Sequence, residues 1–267
     1  MTKDPNATVG GIQSLDAALR LLSALARRDG PVSLSDLARD CDMPPSKAHR
    51  YLATFQHAGF VAQAERSGKY DLGRAALDLG LSAIARHDFV NTASDHLADL
   101  VAQTGMSAFL SVWGTQGATV IRWERAETPA VTSMGLGTTL PLMTSATGRA
   151  FLAWAPPAPL QAARDLGLNR IRKNPGIAPD ITPTIKGVDQ LVRDIRAQGI
   201  ATVDGSFIPG LVALAAPILD WQGQAQVVVT LIGTAPTALH KGSMQSRAVM
   251  RFCQEQSFAP LVASVST

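Results

Sequence analysis

The sequence of 267 residues predicts an α+β protein: an N-terminal winged helix-turn-helix, a linker helix, and a C-terminal domain with an antiparallel sheet. Three observations predict it. Two short helical stretches are joined by the tight turn "DMPP" behind a longer first one, the arrangement of a helix-turn-helix. A compact Gly-containing hairpin follows the third helix at once, as a wing does. After residue 107 short strand-like runs alternate with two helical blocks, the pattern of an antiparallel sheet with helices packed on it. The expected boundaries are a flexible arm at 1–13, the winged domain at 14–73, the linker helix at 74–90 and the sheet domain at 91–267.

The first dozen residues are polar and contain glycine, which suits a loose arm. In "SLDAALRLLSALARRDG", Ser14 stands at a cap position and Leu15, Ala18, Leu19, Leu22, Leu25 and Ala26 recur at helical spacing until Gly30-Pro31. "SLSDLARDC" opens a shorter helix with Ser33 as cap and Asp36 three residues on, a capping-box pair, and turns Leu34, Leu37 and Ala38 inward. Proline suits a first helical position, so a third helix runs from about Pro45 to about His57. The runs "FVAQAE" and "KYDLG" flank Arg66-Ser67-Gly68 as the two strands of the wing. "RAALDLGLSAIARHDF" returns to helical spacing with Leu77, Leu81 and Ile84 on one stripe, and "NTASDHLADLVAQTG" is a further helix closed by Gly105.

Beyond residue 107, "SAFLSVWG", "TVIRWE" and "AVTSM" read as strands, and "SATGRAFLAW" and "VDQLVRDIRAQG" as helices. "IATV", "LVALAAPIL" and "AQVVVTLIG" are three more strands, the last two joined by Asp220-Trp221-Gln222-Gly223, and "SMQSRAVMRFCQEQSFAPLVA" is an amphipathic tail helix.

Composition bounds the function. A 46% hydrophobic share supports real cores, and 17% charged residues is low for a disordered chain. The net charge of +3 permits a nucleic-acid partner without demanding one. Cys41 and Cys253 are the only cysteines and form no disulfide framework or zinc spacing, which suggests a reducing, cytoplasmic setting. "MTKDPNATVGGIQ" has no apolar core of a signal peptide, and no apolar run reaches the ~18 residues of a membrane span.

On the third helix, Ala48, Leu52 and Phe55, with Tyr51 beside them, form the stripe that docks on the first two helices. Ser46, Lys47, His49 and Arg50 lie on the other faces at its N-terminal end, where a recognition helix meets base edges in the major groove of double-stranded DNA. Arg can grip a guanine edge with its fork, while Lys and Ser reach phosphates or bases. The bland alternative is a solvated face with no partner. The capping-box helix before it, the hairpin after it, and Arg66 and Lys69 on that hairpin favour DNA. Residues 1–75 hold ten Lys and Arg against eight Asp and Glu. So weak an excess implies that affinity needs two copies, hence a homodimer with recognition helices about one duplex turn, ~34 Å, or a multiple of it apart.

These stretches resemble the IclR family of bacterial transcriptional regulators, named for the isocitrate lyase regulator. The resemblance rests on "SLDAALRLLSALA", "SLSDLARDCDMPPSKAHRYLATFQHAGFV" and "GKYDLG", then on "LPLMTSATGRAFLA" and "GIATVDGSFIPGLVALAAPILDWQGQAQVVVTLIG". It implies a GAF-like effector-binding domain at the C-terminus, and dimers, often paired into dimers of dimers, on operators near catabolic genes. Ser46, Lys47, His49 and Arg50 would face the groove, with Arg66 and Lys69 reaching phosphate or minor groove from the wing. A small carboxylate would sit at the helix start of "SATG", on the backbone N–H groups of Ala146 and Thr147. A helix N-terminus independently offers unpaired donors and a partial positive charge. Leu140, Leu211, Ala213, Thr230 and Ile232 match the remaining pocket positions. Family members that sense small keto acids carry a carboxylate, a Cys and a Ser-x-Ser pair where this chain has Val203, Ala213, and Thr230 with Ile232. A highly polar acid would be poorly paired there, so the expected effector is a larger, more apolar organic acid, an aromatic carboxylate first.

Other candidates are weaker. His49, His57, His87, His96 and His240 have no Cys or Glu at zinc-ligand spacing, so no metal or cofactor is expected. "DGSFIPG" lacks the spacing of a nucleophile elbow, and "MGLGTTL" lacks the third glycine of a dinucleotide loop. No catalytic constellation supports an enzyme with a DNA-binding appendage, and a purely architectural DNA-binding protein would not need the large C-terminal domain. Trp113 and Trp123 suit core packing or a pocket wall, Arg122 and Arg125 an acidic effector or water, and Cys41 a small buried filler rather than a redox sensor.

Overall fold

A computed structural model describes residues 12–130, 132–205 and 208–262, and these fall into two compact units that divide between His87 and Asp88. Most of the expected arm, residues 1–11, lies outside the described residues.

In the first unit, α1 spans Gln13–Ala26, α2 Leu34–Asp40 and α3 Pro45–His57. Ser14 does not cap α1: the carbonyl of Ile12 already accepts from the amides of Leu15 and Asp16, which puts Ser14 inside the first turn. The buried face of α1 is also rotated from the expected stripe. It holds Ala17, Ala18, Leu21, Ala24 and Leu25, while Leu15 and Leu19 stand about half exposed. Ser33 does cap α2. Its hydroxyl accepts from the Asp36 amide at 3.2 Å and donates to the Asp36 carboxylate at 2.7 Å. Hydrogen bonding by Ser33, then by Arg39, holds that carboxyl below its ordinary range. The turn between α2 and α3 places Asp42 in the left-handed region, at φ 48°.

Strands β1 (Val61–Gln63) and β2 (Tyr70–Leu72) pair antiparallel around a six-residue turn. Val32 exchanges both backbone hydrogen bonds with Tyr70, which ties the α1–α2 connection to the wing. Leu21, Leu25, Leu37 and Leu52, each no more than 2% exposed, close the core with Ala48, Val61 and Tyr70. Gly73 is needed by close approach: a Cβ there would lie 2.2 Å from the carbonyl oxygen of Gly59. Helix α4 (Arg74–Arg86) ends four residues before the expected limit of the linker helix and buries none of its side chains.

In the second unit, Asp88 caps α5 (Phe89–Asp95), and α6 (Leu97–Thr104) follows after a break at His96, so the single expected helix is two. The sheet holds β3 (Ser107–Gly114), β4 (Gly117–Glu124), β5 (Thr139–Leu140), β6 (Ala201–Asp204), β7 (Val212–Leu219) and β8 (Ala225–Gly233) in the antiparallel order β5-β4-β3-β8-β7-β6. "AVTSM" is not the third strand. Val131 lies outside the described residues, its neighbours are irregular, and β5 forms later, where backbone bonds from Gly137 and to Thr138 lead it onto β4.

Helix α7 (Ala146–Trp154) packs on β6, β7 and β8, with α8 (Pro157–Lys173) and α9 (Ile185–Gln198) against it, and α10 (Met244–Gln256) packs with α6 and on β7 and β8. Consecutive residues of β8 from Val227 to Ile232 are all buried, which requires cover on both sheet faces. The tail helix is shorter than expected, with Ser243 as its cap and Ser257 beyond its end. Among the described residues no helix is long and apolar enough to cross a membrane.

Candidate DNA-binding surface and effector cavity

Ser46, Lys47, His49 and Arg50 are all exposed in the first two turns of α3, while Ala48 and Leu52 behind them are fully buried. The helix begins with Pro45 at its first position, where the missing N–H costs nothing. Lys47 leans over the Tyr51 ring at 5.8 Å. Arg66 and Lys69 stand exposed on the turn of the wing, which is held by the Gln63 side-chain amide donating to Gly68 O at 2.8 Å. The side chains of Arg50, Arg66 and Lys69 form no ion pair with any described residue, in contrast to Arg28 with Asp40 and Arg39 with Asp36. The four α3 residues therefore share one end of a helix whose back is held by the core, and two more cations occupy the wing.

In the second unit, Ser145 caps α7 by accepting from Gly148 N at 3.0 Å, and its hydroxyl donates to Pro141 O at 2.7 Å. Ala146 N and Thr147 N make no hydrogen bond to a described residue and are open donors. Gly148 lets residues 141–142 press on the helix: a Cβ would meet Pro141 O at 2.2 Å.

A cavity opens at this helix start. It is lined by all seven residues anticipated for an effector, Leu140, Ala146, Thr147, Leu211, Ala213, Thr230 and Ile232. The sheet register explains why. Ile232, Ala213 and Val203 are directly paired across β8, β7 and β6, and Thr230 lies two residues along the same face, beside Phe109. The hydroxyls of Thr147 and Thr230, both buried, bond to each other at 2.8 Å. Phe109, Met134, Ser145, Val203 and Ile208 complete the wall. Phe109 could have been found from strand alternation, but Met134 and Ile208 lie in irregular segments that carry no periodic signal. The cavity is small, about 40 Å³, far below the roughly 300 Å³ at which ordinary ligand sites begin.

One residue of this region had no role in the sequence reading. Arg149, 4% exposed in an otherwise uncharged helix, grips both carboxylate oxygens of Asp180 at 2.6 and 2.8 Å. It also donates to Met143 O at 2.8 Å and Thr202 O at 3.2 Å. It thus joins the segment before α7, the strand carrying Val203, and the loop after α8. The lone Arg in "SATGRAFLAW" was the available signal.

The other candidates resolve plainly. Trp113 and Trp123 are half-buried against the core, and Trp123 stacks on Phe109 with centroids 5.0 Å apart. Arg122 and Arg125 are exposed, with Arg125 over the Trp123 ring at 6.0 Å. Burial pushes the Cys253 thiol well above its ordinary range, and desolvation also raises that of partly buried Cys41. No three His, Cys, Asp or Glu among the described residues lie together as a metal site would require.

Comparison with known proteins agrees with both halves. A profile described as the IclR helix-turn-helix domain matches residues 14–65, and one described as the C-terminal domain of the bacterial transcriptional regulator IclR matches 81–256. The HTH-type transcriptional regulator BhcR of Paracoccus denitrificans is 32% identical over 255 residues, covering 93% of this chain and 88% of that protein. The transcriptional repressor IclR of Escherichia coli is 26% identical over 229 residues, 84% of this chain and 81% of that one. The crystal structure of Pseudomonas aeruginosa HmgR superposes with a TM-score of 0.81 at 30% identity, over 95% of this chain and all of that one.

Proposed function

The chain belongs to the IclR family of bacterial transcriptional regulators, and from that premise we propose that it is a repressor released from its operator by an organic acid. A DNA-binding regulator, not an enzyme, is what the family consists of. In our reading Ser46, Lys47, His49 and Arg50 meet base edges and phosphates in the major groove, and Arg66 and Lys69 hold the backbone from the wing. The repressor sign follows the relative named a transcriptional repressor. Dimerisation is supported by apolar side chains exposed at helical spacing, Leu77 and Leu81 on α4 and Leu15 and Leu19 on α1, with Ile12 just before it.

The observation that carries the effector reading is the cavity at the start of α7. Two open backbone donors meet largely apolar walls in which the buried hydroxyls of Thr147 and Thr230 already satisfy each other and that of Ser145 is engaged with Pro141 O and Gly148 N. A carboxylate on the helix N-terminus with an apolar body among Leu140, Leu211 and Ile232 uses both features. A cavity of about 40 Å³ holds only a few waters, so an aromatic acid enters only as these side chains give way. The effector then favours one arrangement of the dimer, and operator affinity changes by the same coupling factor.

The test is calorimetry with benzoate-type acids and with glyoxylate, followed by anisotropy of labelled promoter DNA. The aromatic acids are expected to bind and to lower DNA affinity. Binding by glyoxylate alone would overturn the effector class, and tighter DNA binding with effector would overturn the sign.

A further inference from the structure

A second hollow lies on the far side of the wall that closes the first. It is bounded by α8, by the β3–β4 turn at Gln116-Gly117, and by residues 139–144, and its volume is about 460 Å³, within the ordinary range for small-molecule sites. Leu142, Met143 and Ile171 supply apolar walls, and Trp113 offers a half-buried ring. Leu166 stands at the hollow 56% exposed, a large apolar side chain left in water. Arg170 lines the same space from the next turn of α8, and its guanidinium has no hydrogen-bond or ion-pair partner among the described residues. Its neighbours on α8 are engaged: Arg164 pairs with Asp189, and Arg172 donates to Pro183 O.

We propose that this hollow is a second ligand site for an organic acid with an aromatic or branched apolar body, its carboxylate on Arg170 and its body against Trp113, Leu142 and Met143. A planar guanidinium at the edge of an apolar cleft matches a carboxylate with a greasy tail. The small cavity at α7 is about a tenth of the size, so the larger hollow accepts such a body without rearrangement.

The two spaces share Leu140. Pro141 lines the second and accepts the hydroxyl of Ser145, the cap of α7, while the Met143 carbonyl is held by Arg149. A ligand pressing on residues 141–143 therefore acts on the start of α7. This coupling rests on the effector reading above; occupancy of the hollow does not.

The probe is para-trifluoromethylbenzoate, titrated into the full-length protein and followed by fluorine NMR. A bound signal is expected that Arg170→Gln weakens about 10-fold or more, as loss of a charge-assisted hydrogen bond implies, and that Arg170→Lys, which keeps the charge but not the planar fork, restores only in part. Ala163→Trp, which fills the hollow, should remove that signal while Ala213→Phe, which fills the α7 cavity, leaves it. Because Arg170 is exposed, its variants keep the fold, which circular dichroism would check. No binding, or binding unchanged by Arg170→Gln and Ala163→Trp, overturns the second site. If Ala213→Phe alone abolishes binding, the α7 cavity stands as the effector site and the hollow does not.

Discussion

Replacing Arg149 by Met keeps most of the buried stem volume and removes the fork, with a cost that the geometry apportions. Four hydrogen bonds disappear, two to Asp180 and one each to Met143 O and Thr202 O. The Asp180 side chain is 49% exposed, so its carboxylate returns to water and its release contributes little, as for other accessible ion pairs. The carbonyls differ. Met143 is buried and Thr202 half-buried, and each orphaned acceptor costs about 1–3 kcal/mol. The expected loss is about 2–4 kcal/mol, below the ~3–5 kcal/mol typical when the abandoned partner is itself a buried charge. Asp180→Asn should cost less, about 1 kcal/mol, since a neutral acceptor remains. Urea unfolding read by tryptophan fluorescence suits the question, because Trp113, Trp123, Trp154 and Trp221 all lie in the second unit. A loss under about 1 kcal/mol for Arg149→Met at unchanged slope would show that water replaces the clamp, and the reasoning would fail.

Three further outcomes are expected. Thr147→Val should cost about 1–2 kcal/mol by stranding the Thr230 hydroxyl, while Thr147→Val with Thr230→Val should cost no more than the single change; an additive double variant would dismiss the pair. Asp42→Val, at φ 48°, should destabilise the first unit by about 1–2 kcal/mol, read from tyrosine emission, because both tyrosines, Tyr51 and Tyr70, lie there; an unshifted transition would contradict the strain. The Cys253 pKa is raised by burial, so the folded state holds its proton longer than the unfolded one. Its stabilising contribution is whole below the ordinary thiol pKa of about 8.5 and diminishes as pH climbs past it, by at most about 1.4 kcal/mol per unit. Cys253→Ala should flatten that slope relative to the parent chain, and identical slopes would exclude the thiol.

Much of this was legible in the sequence because short-range rules governed it. The capping pair Ser33 and Asp36 and the proline at the head of α3 are local signals, and they set the helices where expected. Strands β7 and β8 were readable as largely apolar runs, broken in β8 only by Gln226 and Thr230, since both of their faces are covered. Helix α8 was missed: Pro157 and Pro159 look like breakers, yet the first turn has no intrahelical N–H bonds to lose. The face of α1 was misjudged because Ala17, Ala18 and Ala24 share the core face with Leu21 and Leu25, leaving Leu15 and Leu19 outward. Cavity residues on paired strands were anticipated through the resemblance. Arg149 was not, because its partners Asp180 and Thr202 lie 31 and 53 residues away and no spacing rule connects them.

The central claim is that the exposed end of α3 reads duplex DNA with help from the wing. Anisotropy of a labelled fragment of the gene's own promoter, titrated with full-length protein across a salt series, tests it most directly. Salt-dependent binding is predicted, with Arg50→Ala costing about 1–3 kcal/mol on the specific sequence and Lys69→Ala lowering the log–log salt slope by about 0.9. No binding at low ionic strength, or affinity and slope untouched by both substitutions, would contradict it.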